Sequence, residues 1–83
     1  LRFALAERLV QQGFALQDAL VAASLDRRQQ AHHLLQADIQ LMGLRRTLLL
    51  CYELGLLDAG QYRHVSEMTQ EVGRLLGGWR KQG

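Results

Sequence analysis

Helical periodicity is clearest in residues 62–79, YRHVSEMTQEVGRLLGGW. Every third or fourth position in this stretch is apolar or small, which is the spacing of a stripe along one face of an α-helix. A regular stripe of this kind is typical of a helix that packs into a bundle. We call it the α3 seam, after the third predicted helix of the chain (α3, about residues 59–81), and it consists of Tyr62, Val65, Thr69, Val72, Leu76 and Trp79.

Basic residues lie along the opposite face of the same predicted helix. Arg63, Arg74 and Lys81 are separated by eleven and seven residues, and these spacings align them because 3.6 residues make one turn. Gln70 falls on the same line, and we call these four positions the basic line. One helix therefore has both a packing face and a basic face.

The composition indicates a small all-α protein. The 83 residues allow a single domain, and the chain is 48% hydrophobic with no proline. This composition favours long uninterrupted helices over a turn-rich β sandwich or a disordered tail. The single cysteine, Cys51, cannot form an internal disulfide, and we interpret it as a packing residue rather than a reactive thiol.

The sequence contains neither a membrane-spanning run nor a recognisable leader peptide. Crossing a bilayer takes ~18 apolar residues in succession, and no charged-then-apolar leader with a cleavage site is present. We therefore expect a cytoplasmic protein. Because Leu1 already lies within a helical pattern, we also expect a further segment upstream.

Breaks in the pattern predict three helices, at about residues 1–23, 26–55 and 59–81. Ser24 or Asp26 is the expected cap at the first break, while Gly55 ends the second helix in a left-handed conformation and Asp58 caps the third. Short loops make neighbouring helices antiparallel, so we expect an up-down helix bundle. The expected seam of the second helix is Leu34, Ala37, Leu41, Leu44, Leu48, Cys51 and Gly55.

The first two helices each have a second apolar stripe in addition to the one that a monomeric bundle needs. Such a surplus predicts that an upstream helix, another subunit or both cover it. On the first helix the two stripes are Leu5, Leu9, Leu16 and Leu20, and Phe3, Val10, Phe14 and Val21. On the second helix the additional stripe is Ala31, Leu35, Met42 and Leu49.

Asp38 and Arg45 separate the two stripes of the second helix. We expect each to meet a polar partner on a neighbouring helix, because an unpaired buried charge is costly. Three glycines within the last helix each cost about 1 kcal/mol of helix propensity relative to alanine. Close approach of another helix is their expected use, and they are Gly73, Gly77 and Gly78.

No catalytic or metal-binding constellation is recognisable. The sequence has no glycine-rich phosphate loop after a strand and no nucleophile elbow. Neither a carboxylate nor a cysteine lies at metal-ligand spacing on a shared helical face from the three histidines, His32, His33 and His64. We expect a protein that is not an enzyme and that has no metal and no cofactor.

The charge is mildly basic, with a net charge of +2 and a pI near 9.2. Nine of the ten basic residues are arginine, which suits bidentate contact with phosphate. The basic line offers about three phosphate contacts, which is weak for one chain and stronger when several subunits present it together. The alternative is a solvated surface, in which Glu67 and Glu71 form intrahelical ion pairs with Arg63 or Arg74.

Four segments of the sequence, taken together, resemble a known protein family. Residues 3–9 read FALAERL, residues 44–50 read LRRTLLL, residues 55–58 read GLLD with Tyr62 following, and residues 71–79 read EVGRLLGGW. Together they resemble the Avd proteins, the accessory variability determinants of diversity-generating retroelements. The likeness covers nearly the whole chain, and residues 71–79 are its most specific part.

The resemblance implies a four-helix bundle of which this chain supplies helices 2 to 4. Proteins of that family form a pentameric basic barrel, bind the reverse transcriptase of the retroelement, and contact nucleic acid during mutagenic copying of a template RNA, without being catalytic. The net charge of +2 is lower than a strongly basic barrel implies. The expected surface for nucleic acid or polymerase consists of Arg63, Arg74 and Lys81, with Arg45 and Arg46 as secondary contacts.

A second family with the same bundle is similar in its Gly-Leu-Leu-Asp turn and its glycine-containing last helix. These are the intervening-sequence proteins of bacterial large-subunit ribosomal RNA, and membership implies a structural or RNA-associated role with no polymerase partner. Trp79, which follows a double glycine, favours the retroelement family.

Overall fold

The computed structural model describes residues 1–82, which form three α-helices. Helix α1 spans Arg2–Leu25, α2 spans Gln30–Glu53 and α3 spans Ala59–Gln82. A 3₁₀ turn at Arg27–Gln29 precedes α2, so the second α-helix begins later than residue 26. The prediction of an all-α protein is confirmed for the described residues.

The first break is capped by Asp26. Its Oδ1 accepts a hydrogen bond from the backbone N–H of Gln29 at 3.4 Å, which stabilises the start of the 3₁₀ turn. The hydroxyl of Ser24 instead donates to the carbonyl of Val21 at 2.7 Å, within α1. Of the two expected caps, the chain uses the aspartate.

The second break has the geometry expected from the sequence. Gly55 has a φ of +77°, the left-handed conformation that glycine adopts without steric cost. The N–H of Gln61 donates to Oδ1 of Asp58 at 2.7 Å, and the N–H of Asp58 donates to Oε1 of Gln61 at 3.0 Å. This reciprocal pair is a capping box, and it fixes where α3 begins.

Helix α2 lies between the other two helices. Its contacts with α3 join α2 residues to α3 residues in reverse order: Tyr52 to Tyr62, Arg45 to Thr69 and Asp38 to Arg80. Within residues 1–82, no Cα atom of α1 lies within 8 Å of a Cα atom of α3. The two outer helices therefore pack on α2 and leave an open groove between them.

The core follows the predicted seams. All six residues of the α3 seam are buried or half-buried, and the α2 seam is likewise buried from Leu34 to Cys51, with Leu44 half-buried. Gly55 lies outside α2 and is exposed, so that seam ends at Cys51, which is buried as expected for a packing residue. The central cluster consists of Leu16, Ala23, Leu34, Ala37, Leu41 and Leu76.

The second stripes of α1 and α2 are exposed. On α1, Phe14 is 62% exposed and Phe3 is 87% exposed, whereas Leu16 of the other stripe is buried. On α2, Met42 is 58% exposed. We call these stripes the apolar flanks, and they consist of Phe3, Val10, Phe14 and Val21 on α1 and of Ala31, Leu35, Met42 and Leu49 on α2.

Two polar or charged side chains occupy the space beside glycines. The amide Nε2 of Gln12, on α1, lies 2.9 Å from where a Cβ of Gly43 would be. Gln12 is buried, and its Oε1 has no hydrogen-bond partner among residues 1–82. At Gly73 a Cβ would lie 2.7 Å from Nη2 of Arg45, so this glycine admits a side chain from α2 as expected.

The other two glycines of α3 differ from expectation. Gly77 and Gly78 are exposed, and no atom in the described part of the chain lies within 4 Å of a Cβ added at either position. Within the described residues no helix approaches these two glycines, because both lie off the face that α3 turns towards α2.

None of the three helices, as described, contains an apolar stretch long enough to cross a membrane.

Candidate nucleic-acid interface

The basic line lies on the solvent-facing side of α3. Arg63, Gln70, Arg74 and Lys81 are all exposed, whereas the seam on the opposite side of the helix is buried or half-buried. This separation is what the periodicity predicts, because the spacings that align the basic residues place them away from the seam. The packing against α2 leaves these side chains accessible to a partner.

Arg74 is held by a neighbouring carboxylate. Nε and Nη2 of its guanidinium each donate a hydrogen bond to the carboxylate of Glu71, three residues earlier on α3, and together they form a bidentate ion pair. The hydrogen bond between them raises the pKa of Arg74 and lowers the pKa of Glu71, so both groups remain charged near neutral pH. The predicted intrahelical pair is therefore present, and Arg74 must exchange this partner before it can bind a phosphate.

Arg63 and Lys81 differ from Arg74 in this respect. Both are exposed, and neither forms an ion pair with another residue in the range 1–82. Within that range they are therefore the two charges of the basic line that no carboxylate pairs with.

Arg45 contributes to the packing of α2 on α3. Its Nη2 donates to the backbone carbonyl of Thr69 at 3.1 Å and lies over Gly73. The expectation that Arg45 meets a polar partner on a neighbouring helix is confirmed. Arg46, the next residue, is likewise exposed and lies about 100° around the helix from Arg45. Of the two secondary candidates, Arg45 is the one that is bound to α3.

A shallow groove connects Arg45 with the basic line. The groove has a volume of about 280 Å³ and is lined by Arg45, Leu48, Tyr62, Ser66, Thr69 and Gln70. Gln70 belongs to both surfaces. The groove and the basic line therefore adjoin at this residue.

Tyr62 of the α3 seam stacks at the end of this groove on Tyr52, a pairing that the seam alone does not predict. The rings of Tyr52 and Tyr62 are 4.5 Å apart between centroids and inclined by 11°. Tyr52 lies at the end of α2 and Tyr62 at the start of α3. Their ten-residue separation across the turn is the signal that could have predicted the pair, because residues at equal distances from a tight turn lie opposite each other.

Asp38 meets its expected partner on α3. Its Oδ2 accepts a hydrogen bond from Nη1 of Arg80 at 3.0 Å. Arg80 is also one of three arginines at this end of the molecule, together with Arg27 and Arg28 of the 3₁₀ turn. Spacing alone does not predict this cluster, because Arg80 is more than fifty residues from Arg27 and Arg28 in the chain.

The histidines are not gathered into a site. His33 lies 3.0 Å from Oδ2 of Asp26, and its hydrogen bond is the main reason why the pKa of Asp26 is lowered. His32 is the neighbour of His33, with ring centroids 5.6 Å apart, and His64 is exposed on α3. The Asp26–His33 pair links the first break to the first turn of α2.

Comparisons of this chain with protein-family models, with curated proteins and with solved structures find no match.

Proposed function

We propose that this protein is a non-catalytic accessory subunit of a diversity-generating retroelement, of the Avd type. In this proposal five copies form a basic helical barrel in the cytoplasm, which binds the reverse transcriptase and the template RNA and supports mutagenic cDNA synthesis. The observation that carries the proposal is the division of α3 into a packed seam and an exposed basic line.

Assembly is supported by the apolar flanks and by the groove between α1 and α3. The reverse order of contacts between α2 and α3 fits an antiparallel up-down bundle, in which these helices are helices 2 to 4. A first helix would lie in the groove, where Leu20 faces Val72 and Trp79 across about 250 Å³. Neighbouring subunits would cover the apolar flanks, because apolar area of this extent on a small protein favours association.

Assembly also supplies the affinity for nucleic acid that one chain lacks. Arg63 and Lys81 are eighteen residues apart on α3, hence about 27 Å along the helix at 1.5 Å per residue. One protomer therefore contacts a strand at only a few phosphates. Five copies multiply these contacts and raise the local concentration of binding sites.

We expect the double substitution Arg63→Gln and Lys81→Gln to weaken RNA binding mainly at low salt. Each lost phosphate contact on a single strand reduces the slope of log K against log salt by about 0.7, so the double variant loses about 1.4 per protomer that contacts the strand. Fluorescence anisotropy with a labelled single-stranded RNA, titrated at several salt concentrations, measures this slope.

The matched control is Arg2→Gln with Arg8→Gln, which removes two exposed arginines from α1. If both double variants lose the same affinity and the same slope, the net charge and not the basic line determines binding. Unchanged binding in the α3 variant at every salt concentration contradicts the proposed surface.

The competing function is that of an intervening-sequence-type bundle with a structural or RNA-associated role and no polymerase. The capped Gly-Leu-Leu-Asp turn, with Gly55 at φ +77° and Asp58 in a capping box, fits both families. Gene neighbourhood separates them, since a reverse-transcriptase gene beside a variable repeat supports the first and a position within a ribosomal RNA gene supports the second. Co-purification of the reverse transcriptase with the tagged intact protein tests the first directly.

A further inference from the structure

A second basic site lies at the end of the molecule where the turn between α1 and α2 meets the last turns of α3. The structure has a cavity of about 380 Å³ there. It is lined by Arg27, Arg28 and Arg80 and by Gln30, Ala31 and Leu34. We call this cavity the arginine pocket, and none of its lining residues belongs to the basic line.

The arginines of this pocket have N–H groups that donate no hydrogen bond within the described residues. Arg80 uses Nη1 to bind Asp38 at 3.0 Å, which fixes the position of its guanidinium. A guanidinium has five N–H donors, so the remaining donors of Arg80 can serve a ligand. Arg27 and Arg28 are exposed and form no ion pair within the part of the chain that the structure describes.

Each carboxylate of this region already has a hydrogen-bond partner. Asp38 accepts from Arg80, while Asp26 accepts from the backbone N–H of Gln29 and pairs with His33. Three guanidinium groups against two carboxylates leave one net positive charge. The complement of this excess charge is an anion.

The size and lining of the pocket indicate more than a simple ion. A volume of about 380 Å³ falls in the range of small-molecule sites, which begin at about 300 Å³. Ala31 and Leu34 provide an apolar part beside the guanidinium groups. A ligand with a phosphate and a flat, weakly polar ring matches both parts, since the arginine fork fits pairs of phosphate oxygens.

We propose that the arginine pocket binds the phosphate group of a nucleotide, either free or within a nucleic-acid strand. This site is separate from the basic line and goes beyond the proposed function. It can bind a nucleotide whether or not the protein associates with a polymerase.

The test is calorimetric titration of the intact protein at low ionic strength with AMP, adenosine, inorganic phosphate, a single-stranded oligoribonucleotide and oligoglutamate. We expect AMP to bind more tightly than adenosine or phosphate alone. Arg27→Gln with Arg28→Gln should weaken AMP binding by at least about tenfold, because charge-assisted hydrogen bonds are lost.

Arg80 stays unchanged in this variant, since it also binds Asp38. Arg2→Gln with Arg8→Gln removes the same charge elsewhere and should leave AMP binding unaltered.

The ligand arms separate the possible sources. Binding of AMP identifies a free nucleotide, whereas binding of the oligoribonucleotide alone, with the same sensitivity to Arg27 and Arg28, identifies a strand. Equal loss of affinity in both double variants overturns the proposal, as does the absence of AMP and oligoribonucleotide binding. Tighter binding of oligoglutamate than of AMP also overturns it and points to an acidic peptide. The Arg63→Gln and Lys81→Gln variant should keep its AMP affinity even if it loses RNA, so the two proposals fail independently.

Discussion

At the scale of single residues, one glycine in α3 is explained by one arginine in α2. A Cβ at position 73 would lie 2.7 Å from Nη2 of Arg45 and 3.3 Å from Cδ2 of Leu41. The arginine uses this space to reach the carbonyl of Thr69. The cost of glycine in a helix is therefore offset by a contact between two helices.

This explanation predicts that the effects of substitutions at positions 45 and 73 are coupled. In the native sequence Gly73→Ala should change the free energy of unfolding by less than about 1 kcal/mol, because the gain in helix propensity is opposed by displacement of the arginine. In an Arg45→Ala background the same change should stabilise the protein by up to about 1 kcal/mol, because only the 3.3 Å approach to Cδ2 of Leu41 still opposes it. Urea unfolding of the four variants measures the coupling as a double-mutant cycle.

Gly77 provides the control for this cycle. Nothing in the described chain lies within 4 Å of a Cβ at this position, so Gly77→Ala should stabilise the protein by about 1 kcal/mol in either background. If Gly73→Ala behaves like Gly77→Ala in the native sequence, Arg45 does not require the glycine.

At the scale of helices, the capping box at the start of α3 fixes the register of that helix. Asp58→Ala removes the acceptor for the N–H of Gln61 and the negative charge at the helix N-terminus. We expect a loss of about 1 kcal/mol in the free energy of unfolding. Asp58→Asn keeps a capping oxygen and should lose much less. Thermal unfolding followed by circular dichroism compares the variants, and equal stability of all three contradicts the role of the cap.

The helix scale also shows what the sequence could and could not predict. Burial along α2 and α3 follows a period of 3.6 residues, so the two seams were readable from spacing alone. The sequence also predicts that Asp38 needs a polar partner. It does not predict that this partner is Arg80, because Arg80 is forty-two residues away and the contact depends on how α3 lies on α2. The arginine pocket depends on the same tertiary register.

Two further features cannot be predicted from the sequence alone: the use of the glycines in α3 and the exact start of α2. A glycine in a helix indicates that a side chain is absent, and whether a neighbour fills the space depends on the face that the glycine occupies. Gly73 faces Arg45 and Leu41, whereas Gly77 and Gly78 face solvent. Helix α2 begins later than predicted because Asp26 stabilises a 3₁₀ turn. The sequence signature of such a turn is nearly the same as that of the first turn of an α-helix.

At the scale of the whole molecule, the arrangement is open. Helix α2 separates the outer helices, the Cα envelope measures 42 × 22 × 13 Å, and the apolar flanks lie outside the core. Phe14 of α1 and Met42 of α2 lie at the same level along the helix pair, because Gln12 packs beside Gly43.

We expect Phe14→Gln and Met42→Gln each to weaken self-association of the intact protein about tenfold. Both side chains are exposed in the single chain, so folding of the protomer should be unaffected. Covering the exposed part of such a side chain in an interface contributes about 1–2 kcal/mol, which corresponds to roughly tenfold in a dissociation constant.

Sedimentation velocity at micromolar concentration measures the distribution of oligomers. Leu54→Gln, in the turn after α2 and 47% exposed, is the control and should leave that distribution unchanged. An intact protein that sediments as a monomer, or assemblies that tolerate both flank substitutions, would mean that the apolar flanks do not join subunits.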